Sequence, residues 1–318
     1  MENEIINLSR EHLKAKYKEY LLAAGLSQAT IRGYLRNLDK FCGFLDANRI
    51  TDFEKVDRQL LVDYQLLLAR ETNYWGRKNT VASQINLIKG ATFFFNFLYD
   101  NDYLRKNPAK GIRYPRLPNR LPRNIITEAE ASKILEQPNI NTRFGFRDRT
   151  MLEVFYSTGI RHAELRKLEI PDVDIHSGSL LIREGKGGKD RYVPLGRVAS
   201  QFLDNYIQHV RPFFLLDNPT NALFLSYKGK GIGKSALDFL VRKYANKAKI
   251  KKVVSCHTWR HACATHLVNR GMDIRHVQAL LGHASLNTTQ IYTRVAIDDL
   301  KRVIRKHHPR EKQNRDLT

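Results

Sequence analysis

Prolines are concentrated in one short stretch of this 318-residue chain, and that stretch restricts the folds open to it. Asn107-Pro108 is followed by Pro115, Pro118 and Pro122, with lysines and arginines between them. Prolines at this density resist helix and strand and stiffen the backbone. The stretch therefore predicts an extended cationic linker at 113–123, which joins domains at 1–112 and 124–318. The length suffices for a sizeable core in at least one of them.

The first domain is predicted to be a bundle of helices. Apolar residues recur at helical spacing in four segments, 13–22, 27–44, 56–69 and 80–99. Ser27 is placed to cap the second helix, and the fourth segment is rich in apolar residues. Basic residues recur throughout this domain. They are either an ordinary solvated surface or, because the whole chain is so basic, a clamp on phosphates.

The second domain is predicted to mix helices with a small β-sheet. Thr127-Glu-Ala-Glu130 has the spacing of a capping box, and Gly159 is suited to end the helix 147–157. Apolar segments at 179–183 and 191–195 flank a Gly/Lys turn and predict a β-hairpin. Further helices are expected at 162–168, 198–210, 234–249, 257–269, 274–280, 286–293 and 296–306, with a short strand at 222–226 and a mobile tail at 307–318. The predicted fold class is mainly α with a small β-sheet (α+β), in two domains.

The charge of the chain favours a polyanionic partner. There are 54 Lys and Arg against 32 Asp and Glu, a net charge of +22, and the pI is near 10. An anionic membrane is the alternative, but no apolar run approaches the ~20 residues of a membrane helix. The acidic N-terminus lacks the pattern of a secretory signal, and three cysteines cannot form a disulfide framework. We therefore expect a cytoplasmic, nucleoid-associated protein that acts on nucleic acid and not on a membrane.

The segment from residue 257 to residue 292 concentrates reactive side chains. His257, Arg260 and His261 share a helix face by their spacing. A phosphate bound at the helix N-terminus would stabilise that arrangement. Leu281-Gly-His283 and Tyr292 follow, so the segment suits holding a phosphodiester and attacking it with the phenol oxygen. Upstream residues that would complete such a site are Arg161 in Thr158-Gly-Ile-Arg161 and Lys186 in Gly185-Lys186-Gly187.

The same residues allow other interpretations. The helix could be an ordinary one with two satisfied histidines. A zinc site at Cys256, His257, His261 and Cys263 lacks both the Cys-x-x-Cys and the His-Glu-x-x-His spacing. Gly233-Lys234-Ser235 fails as a phosphate-binding loop because Lys228 stands where its first glycine belongs. Lys186, on a predicted turn, is either solvated or free to enter a DNA groove because glycines flank it.

Four motifs in order resemble those of the tyrosine recombinases, also called the phage integrase family. They are Thr158-Gly-Ile-Arg161-His-Ala-Glu-Leu165, Gly185-Lys186-Gly-Gly-Lys-Asp-Arg-Tyr-Val-Pro-Leu195, His257-Thr-Trp-Arg260-His-Ala-Cys-Ala-Thr-His266 and Leu281-Gly-His283-Ala-Ser-Leu-Asn-Thr-Thr-Gln-Ile-Tyr292. The compact length is similar to that of Xer proteins and of mobile-element integrases. The resemblance implies a helical core-binding domain that clamps DNA, followed by a catalytic domain. His162, Trp259 and Arg294 depart mildly from the Xer-like pattern.

The resemblance also implies a reaction and an assembly. The phenol would attack the scissile phosphate and form a 3′-phosphotyrosyl link, with no metal, ATP or other cofactor. Four subunits would act on double-stranded DNA at two specific sites, either as a homo-tetramer or with a paired recombinase. The last helix, 295–306, would dock on a neighbouring subunit; the alternative is that it packs on its own domain. A type IB topoisomerase and a non-catalytic DNA-binding relative are the alternatives. The residues implied for catalysis are Arg161, Lys186, His257, Arg260, His283 and the nucleophile Tyr292.

Overall fold

The computed structural model describes residues 9–72, 76–117, 125–183, 190–216, 219–282 and 294–312. The chain separates into two compact units, Met1–Leu121 and Pro122–Thr318. The predicted helices of the first unit are present. They are α1 Arg10–Ala23, α2 Gln28–Ala47, α3 Arg58–Arg70 and α4 Val81–Asp100. Each begins after a side chain that accepts a first-turn N–H, and the Ser27 hydroxyl does so for α2, as predicted.

Aromatic rings fill the core of the first unit. Phe41, on α2, packs edge-on against Tyr64 of α3 and Phe95 of α4. Burying a ring of this size stabilises the fold by roughly 1.5–3 kcal/mol. Gly90 lets α4 approach α2 closely, because a side chain there would collide with Asn37. The bundle therefore depends on large rings in the interior and on one small residue at the helix crossing.

The start of the predicted linker is attached to the first unit. Arg58 Nη2 donates to the carbonyl of Gly111 at 3.1 Å, and Gln65 Nε2 donates to that of Arg113 at 3.0 Å. The Tyr114 hydroxyl lies 2.8 Å from Thr92 Oγ1. The first two linker residues are therefore held on the helical bundle. Residues 118–123 of the linker lie outside the described residues.

The second unit combines a small antiparallel sheet with helices. The hairpin was predicted, whereas its two-residue neighbouring strand is too short to show a periodicity. The strands are β1 Val173–Asp174, β2 Ser179–Ile182 and β3 Arg191–Pro194, in the order β1-β2-β3. The helices are α5 Glu128–Leu135, α6 Arg143–Thr158, α7 His162–Lys167, α8 Arg197–Asn205, α9 Lys234–Lys247, α10 Cys256–Asn269, α11 Ile274–Leu281 and α12 Arg294–His307. No described helix combines the length and the apolar character that crossing a membrane requires.

Two local signals in the second unit are confirmed. The Thr127 hydroxyl and the Glu130 carboxylate complete a capping box at the start of α5, with hydrogen bonds of 3.1 and 2.7 Å. Gly159 ends α6 in a left-handed conformation with φ of 59°. Such signals depend on residues close in sequence, which is why the sequence alone predicts them.

Two predicted elements differ in the structure. The helix expected at 198–210 is α-helical only through Asn205, and a π-helical turn, Tyr206–Val210, and a 3-10 turn, Arg211–Phe214, follow it. Pro212 favours this change because it has no N–H to donate. The strand expected at 222–226 is reduced to isolated bridges at Ala222 and Leu225. Side chains bond part of its main chain, since the Arg211 guanidinium donates to Ala222 O and the Leu225 N–H donates to the Tyr206 hydroxyl.

The predicted mobile tail is wrong for residues 308–311. His308 is fully buried, and the Arg310 guanidinium donates to both carboxylate oxygens of Glu153 at 3.1 and 2.7 Å. Glu311 Oε1 accepts the Arg197 N–H at 2.7 Å, at the start of α8, where Gly196 has no side chain to cap the helix. These partners lie far away in sequence, so composition gave no sign of them. The predicted helix at 286–293 and the tail from 313 lie outside the described residues.

Candidate active site

Arg161 lies at the N-terminal end of α7, two residues after the left-handed turn at Gly159. Its main-chain N–H donates to Glu164 Oε2 at 2.7 Å, and its Nη1 donates to Glu164 Oε1 at 2.9 Å. Nη2 lies 3.5 Å from the carbonyl of Gly282. The side chain is 31% exposed, so the guanidinium is held in place and still reaches solvent.

Arg260 lies on α10 and is buried. Its Nη1 donates to the carbonyl of Gly159 at 2.8 Å, and its Nη2 donates to that of Leu281 at 2.7 Å. Burial and the positive charge of Arg161 lower the pKa of the Arg260 guanidinium to about 10. Two cations are thus held together at the end of α11. A bound anion would relieve their repulsion.

His257 lies in the first turn of α10, beside His261. The two exposed rings meet edge-on with their centroids 4.4 Å apart. The part of the His257 ring that is covered loses solvation, which lowers its pKa, and the charges of His261, Arg260 and Arg161 lower it further. The prediction that His257, Arg260 and His261 share one face is only partly right, because Arg260 is directed into the interior. The imidazole of His257 is favoured in its neutral form, which can accept a proton.

Glu164 and Arg191 belong to this cluster but were not predicted as site residues. The Arg191 guanidinium donates to both carboxylate oxygens of Glu164 at 3.0 and 2.9 Å. Burial by itself raises the pKa of Glu164, but the hydrogen bonds from Arg191 and Arg161 outweigh burial and lower it. The capping-box spacing between Arg161 and Glu164 was a usable signal. For Arg191 the sequence indicates only a strand.

The predicted residues fall into two groups. Arg161, His257 and Arg260 are brought together in the structure, although 99 residues separate the two arginines. The predicted residues Lys186, His283 and Tyr292 lie outside the described residues. The structure does describe the elements next to them in sequence. β2 and β3 flank the segment with Lys186, and α11 ends two residues before His283. Gly282, between them, has φ of 64°.

The surroundings of the two cysteines near this site do not favour zinc binding. Cys263 is completely buried beside the turn at Gly159, and burial raises its pKa to about 12. The Cys256 thiol lies 3.5 Å from Asp238 Oδ1, and burial together with that carboxylate raises its pKa to about 12. A zinc site needs thiolates. These surroundings disfavour the ionised form of both cysteines.

Comparison with known families shows which family the chain belongs to. Residues 124–298 match the model of the phage integrase family. The chain belongs to the phage integrase family. Residues 15–100 match a second model, described as the phage integrase N-terminal SAM-like domain, so the helical bundle also has its counterpart among these integrases.

Curated relatives of this integrase-family chain cover nearly its whole length. It is 36% identical over 297 residues to the tyrosine recombinase XerD of Staphylococcus epidermidis, covering 92% of this chain and 98% of the relative. It is 35% identical to XerD of Staphylococcus aureus over the same coverage. The likeness therefore includes both units.

Solved structures share the fold at lower identity. The XerH recombinase bound to its difH substrate before cleavage has a TM-score of 0.65 at 24% identity, covering 92% of this chain and 84% of that one. A lambda integrase dimer bound to a COC′ core site has a TM-score of 0.66 at 15% identity, covering 98% and 100%. At these identities the comparison shows the fold alone.

Proposed function

We propose that this chain, a tyrosine site-specific recombinase, cleaves and rejoins DNA strands with the phenol of Tyr292. The observation that carries the proposal is the meeting of Arg161 and Arg260 at the end of α11, next to His283 in sequence, with His257 close enough for their charges to lower its pKa. Two guanidiniums and a neutral imidazole are what a phosphodiester and an attacking phenol need. The net charge of +22 suits a DNA partner.

In the proposed reaction, Tyr292 Oη attacks the scissile phosphorus and the bond from phosphorus to the 5′-oxygen breaks. His257 accepts the phenol proton, and Lys186 donates a proton to the leaving 5′-oxygen. Arg161 and Arg260 stabilise the negative charge on the non-bridging oxygens. His283 would donate a further hydrogen bond to them. The 3′-phosphotyrosyl bond conserves the energy of the broken bond, so a 5′-hydroxyl can reverse the reaction on the same or another strand.

The proposed assembly is a homo-tetramer on two DNA duplexes, on the nucleoid, with two subunits active at a time. A lambda integrase tetramer bound to a Holliday junction has a TM-score of 0.64 with this chain at 17% identity, which is a likeness of fold. We retain the domain boundaries 1–112, 113–123 and 124–318 as part of the proposal. In the structure Leu300 and Ile304 of α12 are buried in its own unit. Exchange of this helix between subunits would therefore have to release these contacts and the ion pair of Arg310 with Glu153.

The test is covalent trapping on a nicked duplex whose short 5′ fragment diffuses away after cleavage. The wild type should form a protein–DNA adduct with EDTA present and ATP absent. Tyr292→Phe should bind the duplex and form none, because it lacks the attacking oxygen. The matched control is Tyr227→Phe, since Tyr227 is a 68% exposed tyrosine of the same unit, and this variant should react normally.

Other outcomes separate the alternatives. An adduct of normal yield with Tyr292→Phe would overturn the assignment of the nucleophile. Relaxation of any supercoiled plasmid without a required site would favour a topoisomerase, whereas DNA binding without any adduct would indicate a non-catalytic relative.

A further inference from the structure

We propose that Arg191 is a positioning residue that couples the β2–β3 hairpin to Arg161 through Glu164 and Gly282. The inference rests on the proposed function, because the groups that it positions are Arg161 and the residues next to Lys186 and His283. Arg191 would not contact DNA. Its side chain is 5% exposed.

The first contact is with Glu164, a carboxylate shared by two arginines. Arg191 donates to both of its oxygens, and Arg161 donates to Oε1 as well. A carboxylate that only held Arg161 would also cancel its charge, and the cation would attract a phosphate less strongly. The guanidinium of Arg191 offsets the negative charge of Glu164. With Arg191 present, Glu164 can orient Arg161 while the trio keeps a net positive charge.

The second contact is with Gly282, the residue before His283. A Cβ atom built on Gly282 would lie 2.8 Å from Arg191 Nε and 3.0 Å from its Cδ and Cζ. Arg191 therefore packs directly against the Gly282 main chain, whose carbonyl faces Arg161 Nη2 at 3.5 Å. This packing holds the turn that leads to His283 at a fixed distance from Glu164. It also requires a residue without a side chain at position 282.

The third link is through the sheet. Arg191 faces Ile182 in the last residue pair of β2 and β3, which closes the segment that contains Lys186. One side chain thus ties the hairpin to the start of α7 and to the end of α11. Because buried polar clusters are rigid when their charges are paired, a change at Arg191 is expected to disturb all three connections together.

A simple structural ion pair is the competing explanation, because breaking a buried pair destabilises any fold by about 3–5 kcal/mol. Arg147 provides the matched control. It is a buried arginine of the same unit that donates to Asp148 through Nε and Nη2, at 3.1 and 2.7 Å, away from the proposed site. Arg147→Met and Arg191→Met should both lower the melting temperature. Only Arg191→Met should lower the cleavage rate of the folded protein.

The experiment measures single-turnover cleavage by the full chain, below the melting temperature of every variant, on three nicked duplexes. The first carries an ordinary scissile phosphate. The second carries a methylphosphonate, which has one negative charge fewer than a phosphate and therefore depends less on the charge of Arg161. The third carries a 5′-bridging sulfur, a leaving group that needs no proton from Lys186. Each rate is divided by the wild-type rate on the same duplex.

Arg191→Met is expected to slow cleavage of the ordinary phosphate by about 10²–10³-fold, the usual loss for one donor to a developing oxyanion. On the methylphosphonate the deficit should shrink most, because the loss at Arg161 matters less there. On the bridging sulfur it should shrink only by the part that comes from the displaced hairpin and Lys186. Arg191→Lys keeps the charge but cannot donate two parallel hydrogen bonds, so it should fall between Met and wild type. This variant also provides the measurement if Arg191→Met does not fold.

Two results would overturn the inference. One is cleavage of the ordinary phosphate by the folded Arg191 variants at the rate of Arg147→Met. The other is an equal deficit on phosphate and methylphosphonate, since a purely structural defect does not depend on substrate charge. Tyr292→Phe, run in parallel, tests the proposed function separately. If Tyr292→Phe were inactive while the Arg191 variants were fully active, the inference about Arg191 would be refuted and the proposed function would stand.

Discussion

Gly282→Ala is the sharpest single change that the structure offers at the candidate site. Gly282 has φ of 64°, and a Cβ there would lie 2.8 Å from Arg191 Nε. Gly271 provides the matched control. Its φ is 83°, but a Cβ there would meet nothing nearer than His307 Cε1 at 3.8 Å, an ordinary contact. Both alanines therefore suffer from a left-handed backbone, and only the one at 282 also collides with a buried side chain.

The magnitudes follow from these two terms. The left-handed backbone costs an alanine about 1–2 kcal/mol at either position. Overpacking against Arg191 adds about 1–3 kcal/mol at position 282 alone. In a unit of this size, 1 kcal/mol corresponds to about 2–4 °C in melting temperature. Gly271→Ala should therefore melt about 2–8 °C below wild type, and Gly282→Ala should melt about 2–12 °C lower still.

The assay pairs thermal unfolding with adduct formation on the nicked duplex. Because the collision displaces the turn next to His283, Gly282→Ala should slow cleavage by about 10–10²-fold in the folded protein. Gly271→Ala should cleave normally. Shortening Arg191 to alanine removes the obstacle. In that background Gly282→Ala should therefore cost no more stability than Gly271→Ala does.

This double variant can refute the reasoning. If the extra destabilisation of Gly282→Ala persisted after Arg191→Ala, the collision would not be its cause. Equal melting temperatures and equal cleavage rates for Gly282→Ala and Gly271→Ala would reject the proposed contact entirely.

Two further predictions concern histidines with lowered pKa values. Burial lowers the pKa of His308 to about 4, so between pH 6.5 and 4 the unfolded chain binds a proton that the folded chain does not. As the pH falls across that window, this group should lower the free energy of unfolding by about 3 kcal/mol. Urea unfolding at several pH values should show that the free energy of unfolding depends less on pH in His308→Gln than in the wild type, and an identical dependence would contradict the assignment. For His257, the lowered pKa keeps the imidazole neutral. The cleavage rate at subsaturating DNA reports on the free enzyme, so it should decline only when the pH falls below 6.5. His257→Ala should cleave about 10²–10⁴-fold more slowly, and its rate should no longer fall at acidic pH. A wild-type rate that, on lowering the pH, began to fall while the pH was still above 7 would argue against His257 as the base.

Prediction from sequence succeeded where the signal was local. The helix cap at Ser27, the capping box at Thr127 and the left-handed end of α6 at Gly159 each depend on residues within one turn. It failed where a distant side chain took the place of a regular partner. The expected strand at 222–226 is reduced to isolated bridges, with Arg211 and Tyr206 bonded to part of its main chain, and the expected mobile tail is anchored through Glu153.

The candidate site shows the same division. Arg161, His257 and Arg260 were named from their motifs, and the structure brings them together. The roles of these three, and those of Lys186, His283 and Tyr292, stay predictions. Glu164 was detectable from its spacing after Arg161, but the function of Arg191 depends on contacts to residues 27 and 91 positions away, at Glu164 and Gly282.

The sequence by itself determined the family, the two-part organisation and the inventory of reactive groups, because motif order, helical periodicity and charge are properties of the chain. Only the tertiary structure decided how those groups are held. The two carbonyls at the end of α11 receive Arg260 and Arg161, and one buried carboxylate is shared between Arg161 and Arg191. These arrangements arise because desolvated charges must find partners, and folding selects which ones are within reach.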